Sequence, residues 1–568
     1  MSYGRKVTSL RILSLATFVP LLLLAFGAIQ SVQFVDRAAQ LGINRPNVYG
    51  SKDRQQSILE STGNGVAIFD YDGDGADDVF IASGISTQPG APPTPSQLYH
   101  NDGKGHFVES AAAVGLTRTG WAQAACAGDF DNDGHTDLLV TYYGHNTLYR
   151  NLGNGKFQDV TAAAGLPVTG LRWGAACAFV DYDRDGYLDI FISNYIDQDV
   201  TRTSKSTCQW LSLTVWCGPH GLPPAHNVLY HNNHDGTFTD VSESAGILAP
   251  GARFGLGVAV ADFDNDGWPD IYVACDQMPS LLYHNLKNGK FEEIADVAGV
   301  AYNSDGQVQA GMGVAVADFD GNGFLDIVKT NFSGDRPSLY RNVDGKFFED
   351  VSEPAGLGVH QLLGWGVAFV DVDDDGWPDL VMANGHVYPQ VDGSAVGEHY
   401  RQPTLLYRNL STGRFGDITS TAGPGLATPR PARGLATGDL DGDGRPEIVI
   451  VNLNQSPTVL KNLGAHQNAV AVRLTGTKSN RSAIGARCTI EAGGRRQMQE
   501  VMSGGSYYSQ NSMTLYFGLG RSENVDSIVV RWPSGLTQKW SRTTGNRTLL
   551  LTEGSEEVKS KPWATLKD

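Results

Sequence analysis

Short apolar runs alternate with tight polar turns along most of this chain. Gly257-Val258-Ala259-Val260-Ala261 leads into a polar loop from Asp262 to Asp270, and Ile271-Tyr272-Val273 follows at once. The same succession ends in Val79-Phe80-Ile81, Leu138-Leu139-Val140, Ile190-Phe191-Ile192 and Ile448-Val449-Ile450. Runs this short, rich in β-branched and aromatic residues and bounded by Gly and Asp, predict strands. A third run ends in Leu-Tyr-x-Asn, at Leu98–Asn101, Leu148–Asn151, Leu229–Asn232, Leu282–Asn285, Leu339–Asn342 and Leu406–Asn409. A glycine turn and a Phe-led run come next, as in Gly155-Lys156-Phe157-Gln158-Asp159-Val160. A short Ala-Gly-Leu segment, as in Ala164-Gly165-Leu166, then leads to the next unit.

Four strands per unit, repeated about seven times over residues 33–463, predict an all-β chain whose main body is a seven-bladed β-propeller. Ring closure leaves few sheet edges, whereas a linear solenoid would need capping repeats that the sequence does not show. The seventh unit has a third strand, Thr458–Asn462, but no Phe-led run behind it. An orphan copy of that run stands near the start of the chain, at Gln33–Gly42. The N-terminal strand is therefore expected to complete the last blade and latch the ring.

The polar loops share one pattern, D-x-D-x-D-G-x-x-D, which is a candidate calcium loop. Its copies place acids or amides at positions 1, 3, 5 and 9: Asp70, Asp72, Asp74 and Asp78; Asp129, Asp131, Asp133 and Asp137; Asp181, Asp183, Asp185 and Asp189. The next are Asp262, Asp264, Asp266 and Asp270; Asp318, Asp320, Asn322 and Asp326; Asp371, Asp373, Asp375 and Asp379; and Asp439, Asp441, Asp443 and Glu447. Calcium takes six to eight oxygen ligands, and acids at positions 1, 3 and 5 converge on one point when the chain curls. Glycine at position 6 permits the sharp turn. Position 7 is expected to offer its carbonyl, and the acid at position 9 closes the cage. Asn322 brings no charge, so the fifth loop is expected to be the weaker one. An EF-hand starts alike but needs a glutamate at position 12 and flanking helices; here position 9 runs straight into a strand. Without a cation such carboxylates would repel one another. The chain carries −18, and seven Ca²⁺ would reduce that to −4. The acidity is thus read as metal ligand, and it argues against nucleic acid as a partner.

Residues 466–552 form a second region with alternating runs such as Ala469–Leu474 and Ser527–Trp532, predicting about seven strands in a small β-sandwich-like domain. Its Arg473, Lys478, Arg481, Arg487, Arg495 and Arg496 read as a solvated basic face, and residues 553–568 as a disordered tail. The repeat resembles the FG-GAP/VCBS repeat of integrin α-subunit propellers. The stretches Thr477–Arg481, Ile484–Arg487, Gly504–Asn511, Phe517–Gly520 and Val530–Gly535 resemble the ASPIC/UnbV domain. Propeller plus this tail is similar to the layout of the cartilage acidic protein family. The resemblance implies the fold and the calcium, and it implies no reaction.

Arg5, Lys6 and Arg11 precede an apolar stretch from Ile12 to Ala28, which reads as a signal peptide or a short membrane anchor within residues 1–28. Either places the protein outside the cytoplasm: secreted, periplasmic or on the cell surface. In that setting Cys208 and Cys217, nine apart in one loop, are the best disulfide candidates. Cys126 and Cys177 read as buried free thiols on successive inner strands, and Cys275 and Cys488 as core.

Three connections between second and third strands are long: Ser83–Gln97, Asn194–Val228 and Asn384–Thr404. All should rise on the face opposite the calcium loops. They carry Trp210, Trp216, His220, His226, His386, Tyr388, Tyr400 and Arg401, while Trp121, Trp173, Phe254 and Trp365 open inner strands near the channel mouth. Two readings stay open. The aromatic residues fill the channel, or Trp210, Trp216 and Tyr388 anchor a protein or glycan partner. An enzyme is the competing class, with the three histidines gathered on a transition metal. The chain shows no G-x-S-x-G, no H-E-x-x-H and no phosphate loop. A binding or adhesion module is the preferred expectation, with a structural or assembly role as a further alternative.

Overall fold

Nearly every regular element is a strand, as the short apolar runs require. The structure is a computed structural model that describes residues 32–52, 55–203, 207–358 and 361–563, with Met1 and Gly4. The signal or anchor segment expected in residues 1–28 lies outside the described residues, apart from those two. Among the described residues no helix is long and apolar enough to cross a membrane.

Seven four-stranded antiparallel units follow one another. Unit 4 is typical, with strands Gly255–Ala261, Asp270–Cys275, Leu281–Asn285 and Phe291–Glu293. The first strand of each unit lies against the first strand of the next, and that of unit 7 against that of unit 1, so the ring closes. Unit 7 is assembled from both chain ends. Phe34–Asp36 pairs with Thr458–Asn462 in the register Phe34↔Asn462, Val35↔Lys461, Asp36↔Leu460. The orphan run therefore is the latch.

Two small-residue devices set how closely the units approach. A Cβ at Gly257 would lie 2.2 Å from Met312 O, and one at Gly313 2.0 Å from Trp365 O, both in the following unit. Inner strands crowd toward the ring axis, so only glycine fits there. The Ala-Gly-Leu glycines act at the outer side. Gly42, Gly115, Gly165, Gly246, Gly299, Gly356 and Gly423 all have φ between +77° and +106°, and an added Cβ would sit 2.5–3.2 Å from the carbonyl oxygen of a Phe at the start of a neighbouring fourth strand. Each is thus fixed by backbone conformation and by contact at once.

The second domain has eight strands in two sheets. One orders Leu515–Gly520, Asn468–Thr475, Arg547–Thr552 and Val558–Pro562; the other orders Arg495–Glu500, Arg487–Ala492, Asn524–Arg531 and Thr537–Thr544. Val470, Val472, Ile490, Ile528, Val530, Trp532 and Leu549 fill the space between them. The expected tail needs correction. Val558–Pro562 adds an antiparallel edge strand to Arg547–Thr552. It escaped the sequence reading because it is held by backbone bonds and buries almost no side chain. Glu553 is equally structured: its carboxylate accepts the N–H groups of Thr477, Lys478 and Ser479 at 2.7–2.8 Å. Burial would raise its pKa, but these donors and the Ser534 hydroxyl outweigh burial and hold it at about 2.

Cys208 and Cys217 form the expected bridge, and Cys275 and Cys488 are buried free thiols. Cys126 and Cys177 do not stay free. They are bonded to each other and tie the inner strands of units 2 and 3. Their separation of 51 residues hides a Cα–Cα distance of 6.0 Å that only ring geometry creates.

Candidate metal loops and the two faces of the ring

Each loop closes on itself through the same backbone donors. The position 6 glycine N–H donates to the position 1 carboxylate at 2.7–3.2 Å in all seven units. The position 2 N–H donates to the position 9 carboxylate at 2.8–3.3 Å. The position 7 N–H donates to the side chain at position 5 at 2.7–3.0 Å. A nine-residue stretch thus brings positions 1, 3, 5 and 9 to face one another. Groups such as Asp129, Asp131 and Asp137, or Asp70, Asp72 and Asp74, place one oxygen each within 4.8 Å of the others.

The electrostatics of these clusters favour a cation. Burial pushes the Asp78 carboxyl up to about 8 and Asp189 to about 7, against the donors that hold them down. Burial is also the first cause that raises Asp129 and Asp318 to about 6, with neighbouring loop acids adding to it. Asp137, Asp326, Asp371 and Asp379 go well above the usual range for the same reasons. In the third loop Asp181 is only 4% exposed, and its Oδ1 has no hydrogen-bond partner. Asp183 Oδ1 and Asp318 Oδ1 are likewise buried and unpaired. Lone oxygens aimed into a ring of carboxylates are what a hard divalent ion would satisfy. The donor set of units 1 to 6 fits calcium. The seventh loop differs, because the Lys461 ammonium stands among its acids.

The Leu-Tyr-x-Asn motif joins the loops into a ring. Asn101, Asn151, Asn232, Asn285, Asn342, Asn409 and Asn462 each donate a side-chain N–H to the position 2 carbonyl of the preceding unit's loop, at 2.6–2.9 Å. In units 1 to 6 the backbone N–H of the same asparagine donates to its own position 9 carboxylate at 2.7–2.9 Å. Every loop is thereby braced by its neighbour. Sequence reasoning found the motif without its role; the signal was the invariance of the asparagine across all seven third strands.

The second domain covers this face, and three of the six basic residues expected on a solvated surface, Arg473, Arg487 and Arg495, are turned onto it instead. Arg473 lies 3.2 Å from Asp77 and 3.7 Å from Asp70. Arg531 pairs with Asp262, and Arg487 reaches Asp262 O and Glu500. Arg495 donates to Asp375 O at 3.1 Å and lies over the Trp377 ring. The Arg481 backbone N–H donates to Asn132 at 2.9 Å. Lys478, Arg481 and Arg496 are exposed, as expected.

From the same domain Gly504–Gln510 enters the central channel. Tyr507 and Tyr508 stack there at 4.1 Å and are fully buried. Ser506 exchanges backbone bonds with Val314 at 2.6 and 2.9 Å, and Gln510 N–H donates to Val66 O at 2.8 Å. Ala125 and Ala127 of unit 2, Phe179 of unit 3 and Val367 of unit 6 donate backbone N–H groups to Tyr508 O, Gln510, Ser503 and Ser506. Inner strands of a ring carry free backbone groups along the channel, and this hairpin pairs them.

The opposite face carries the long connections. Trp210, Trp216 and Tyr388 do come together, with ring centroids 5.6 Å and 4.8 Å apart. Trp216 and Tyr388 are each only 6% exposed, so in this arrangement they pack against one another; Trp210 alone is half-exposed. The bridged hairpin Thr207–Trp216 of unit 3 reaches Phe332 of unit 5 and His386 of unit 6. His386 is enclosed and sits 3.3 Å from Glu398. Trp173 packs edge-to-face with Tyr143 and Tyr195, Trp121 with Tyr49, Phe254 with Tyr195 and Trp365 with Tyr507, so these aromatic residues fill the channel.

Comparison with known proteins follows the same division. The FG-GAP-like repeat family matches residues 70–140, 129–192, 215–273, 262–329 and 395–450. The family described as ASPIC and UnbV matches residues 476–558. Cartilage acidic protein 1 of Mus musculus is 27% identical over 371 residues, 64% of this chain and 52% of that protein. Its Homo sapiens counterpart is 26% identical, over 64% of this chain and 50% of that protein. The chain spans about half the length of the curated relatives it matches. Among solved structures, a lectin from Agrocybe aegerita that recognises non-reducing terminal N-acetylglucosamine is 16% identical. It covers 72% of this chain and 91% of that one, with a TM-score of 0.37.

Proposed function

This chain belongs to the FG-GAP-like repeat family, and on that premise we propose that it is an exported calcium-binding module that engages a protein or glycan partner. The buried carboxylates of the loops carry the calcium reading, above all Asp181 with its unpaired Oδ1. The ions would be held by positions 1, 3, 5 and 9 and would supply the positive charge that permits these acids to ionise inside the fold. Two disulfides support an oxidising compartment. The second domain covers the metal loops, so the partner is assigned to the long-loop face, where Trp210 stays accessible.

Melting in calcium and in EDTA tests the metal reading. A ligand that binds only the folded state adds about 2.7 kcal/mol per site at 100 times its Kd. Several sites together should therefore raise the melting temperature by many degrees, reversibly, and the ions should be countable as calcium. An unchanged melting curve in EDTA would remove calcium from the account.

A further inference from the structure

The residue before each bracing asparagine varies: His100, Arg150, His231, His284, Arg341, Arg408 and Lys461. Arg341 pairs with Glu349 on the fourth strand, and the other six contact the loop of their own unit. Their reach also varies. Arg150 lies at the rim against positions 3 and 5, 2.6 Å from Asp131 and 3.2 Å from Asp133. Arg408 contacts the equivalent Asp373 and Asp375. The imidazoles of units 1, 3 and 4 bring one nitrogen to 3.1–3.8 Å from positions 3 and 9. Lys461 goes further in. Its Nζ contacts Asp441 at position 3, Asp443 at position 5 at 2.8 Å and Glu447 at position 9 at 3.1 Å. That places the ammonium among three of the four loop acids; Asp439 at position 1 is not a partner, and Asp441 Oδ1 stays unpaired. An ammonium group has three donors, one for each of these carboxylates. The side chain is 9% exposed, so this is a buried ion network and not a surface pair.

A second departure falls in the same loop. Position 9 is aspartate in units 1 to 6 and glutamate in unit 7. In those six units one oxygen of that acid accepts the backbone N–H of the stapling asparagine. In unit 7 the Oε1 of Glu447 accepts from Lys461 instead. The longer acid and the lysine therefore form one coordinated change. We propose that the seventh loop takes no calcium and that the Lys461 ammonium is its permanent cation, so the ring is built for six ions. This rests on the calcium reading of the other loops. It also suits the position of unit 7. Lys461 lies opposite Val35 in the strand that latches the ring, so the unit that must join both chain ends closes without waiting for metal.

Calcium titration of the full exported chain by calorimetry tests the assignment, with ion counting on the same samples. Wild type should bind six ions. K461M, which removes the ammonium, and K461H, which installs the residue of units 1, 3 and 4, should each bind one more. D441N should leave the count at six, whereas D131N, the same position in unit 2, should lower it by one. In EDTA, K461M should melt several degrees below wild type, and calcium should recover the difference. Seven ions in wild type, no gain in either lysine variant, or a lost ion in D441N would overturn the proposal. If no variant binds calcium at all, the calcium reading fails instead. Melting in EDTA then decides the lysine's role: a lower value for K461M supports the internal cation, and an equal value overturns it.

Discussion

The two faces of the ring are built by different rules. On the metal-loop face one nine-residue motif is written seven times, and each copy is braced by an asparagine from the following unit. On the opposite face the long connections do not repeat; what recurs is a small device, in which Asn194, Asn331, Asn384 and Asn452 each donate to the carbonyl two residues before the third strand. The long connections of units 3 and 6 meet there only because the ring places them together, and the disulfide loop in unit 3 leans on residues of units 5 and 6. The repeated face is also the one that the second domain covers, with arginines on loop acids and carbonyls and a hairpin down the channel. Repetition here serves assembly. The surface that the second domain leaves uncovered is the irregular one, where the proposed partner would bind on loops held by a rigid scaffold.

If the covered face is integral to the fold, breaking it should cost most. Replacing Tyr507 and Tyr508 together by alanine removes two fully buried rings from the channel. Burial losses of this kind cost about 3–5 kcal/mol per large side chain. The double variant should melt far below wild type, and proteolysis should cut near residue 463, between the ring and the second domain. Wild-type stability would mean that the domain merely rests on the ring. A single brace should matter less. Asn232→Ala leaves the carbonyls of Phe130 and Leu188 without their donor, at about 1–3 kcal/mol for each buried group left unpaired. Denaturant unfolding should show that loss, and no change would demote the asparagine to a bystander. The smallest global effect should come from the other face. Replacing Cys208 and Cys217 by serine frees the hairpin Thr207–Trp216, which can open locally, so melting should shift by less than about 1 kcal/mol. Hydrogen exchange in the hairpin should rise, and capture of a cell-surface partner should weaken. A large drop in melting, or unaltered capture, would erase the contrast between the faces.

Much of the first face was legible in the sequence because its information is local. The loop, its glycine and the strands on either side lie within 16 to 24 residues, and the spacing D-x-D-x-D-G-x-x-D alone brings the acids together. The orphan Phe34 strand could be matched to the seventh unit by counting. The second face was legible only as a set of long, aromatic connections. Trp216 and Tyr388 looked like anchors, yet they are buried against each other, because whether a loop aromatic faces solvent depends on what another loop brings to it. Three basic residues of the second domain misled for the same reason. Arg473 and Arg487 look solvated until the acidic loops, two hundred to four hundred residues away, are set beside them.

By itself, then, the sequence determined the strand-loop-strand unit, its number of copies, the acids of each loop and the strand that latches the ring. These follow from spacing, alternation and the conformational freedom of glycine, all of which act between near neighbours. Only the tertiary structure decided that Lys461 enters the seventh loop, that Cys126 meets Cys177, that Asn232 braces the preceding loop and that Gly504–Gln510 fills the channel. Each of these joins residues that the closed ring brings together from separate strands, units or domains. Their pairing is a property of closure, in which backbone groups and charges buried along a shared axis must find partners from other units or remain unsatisfied.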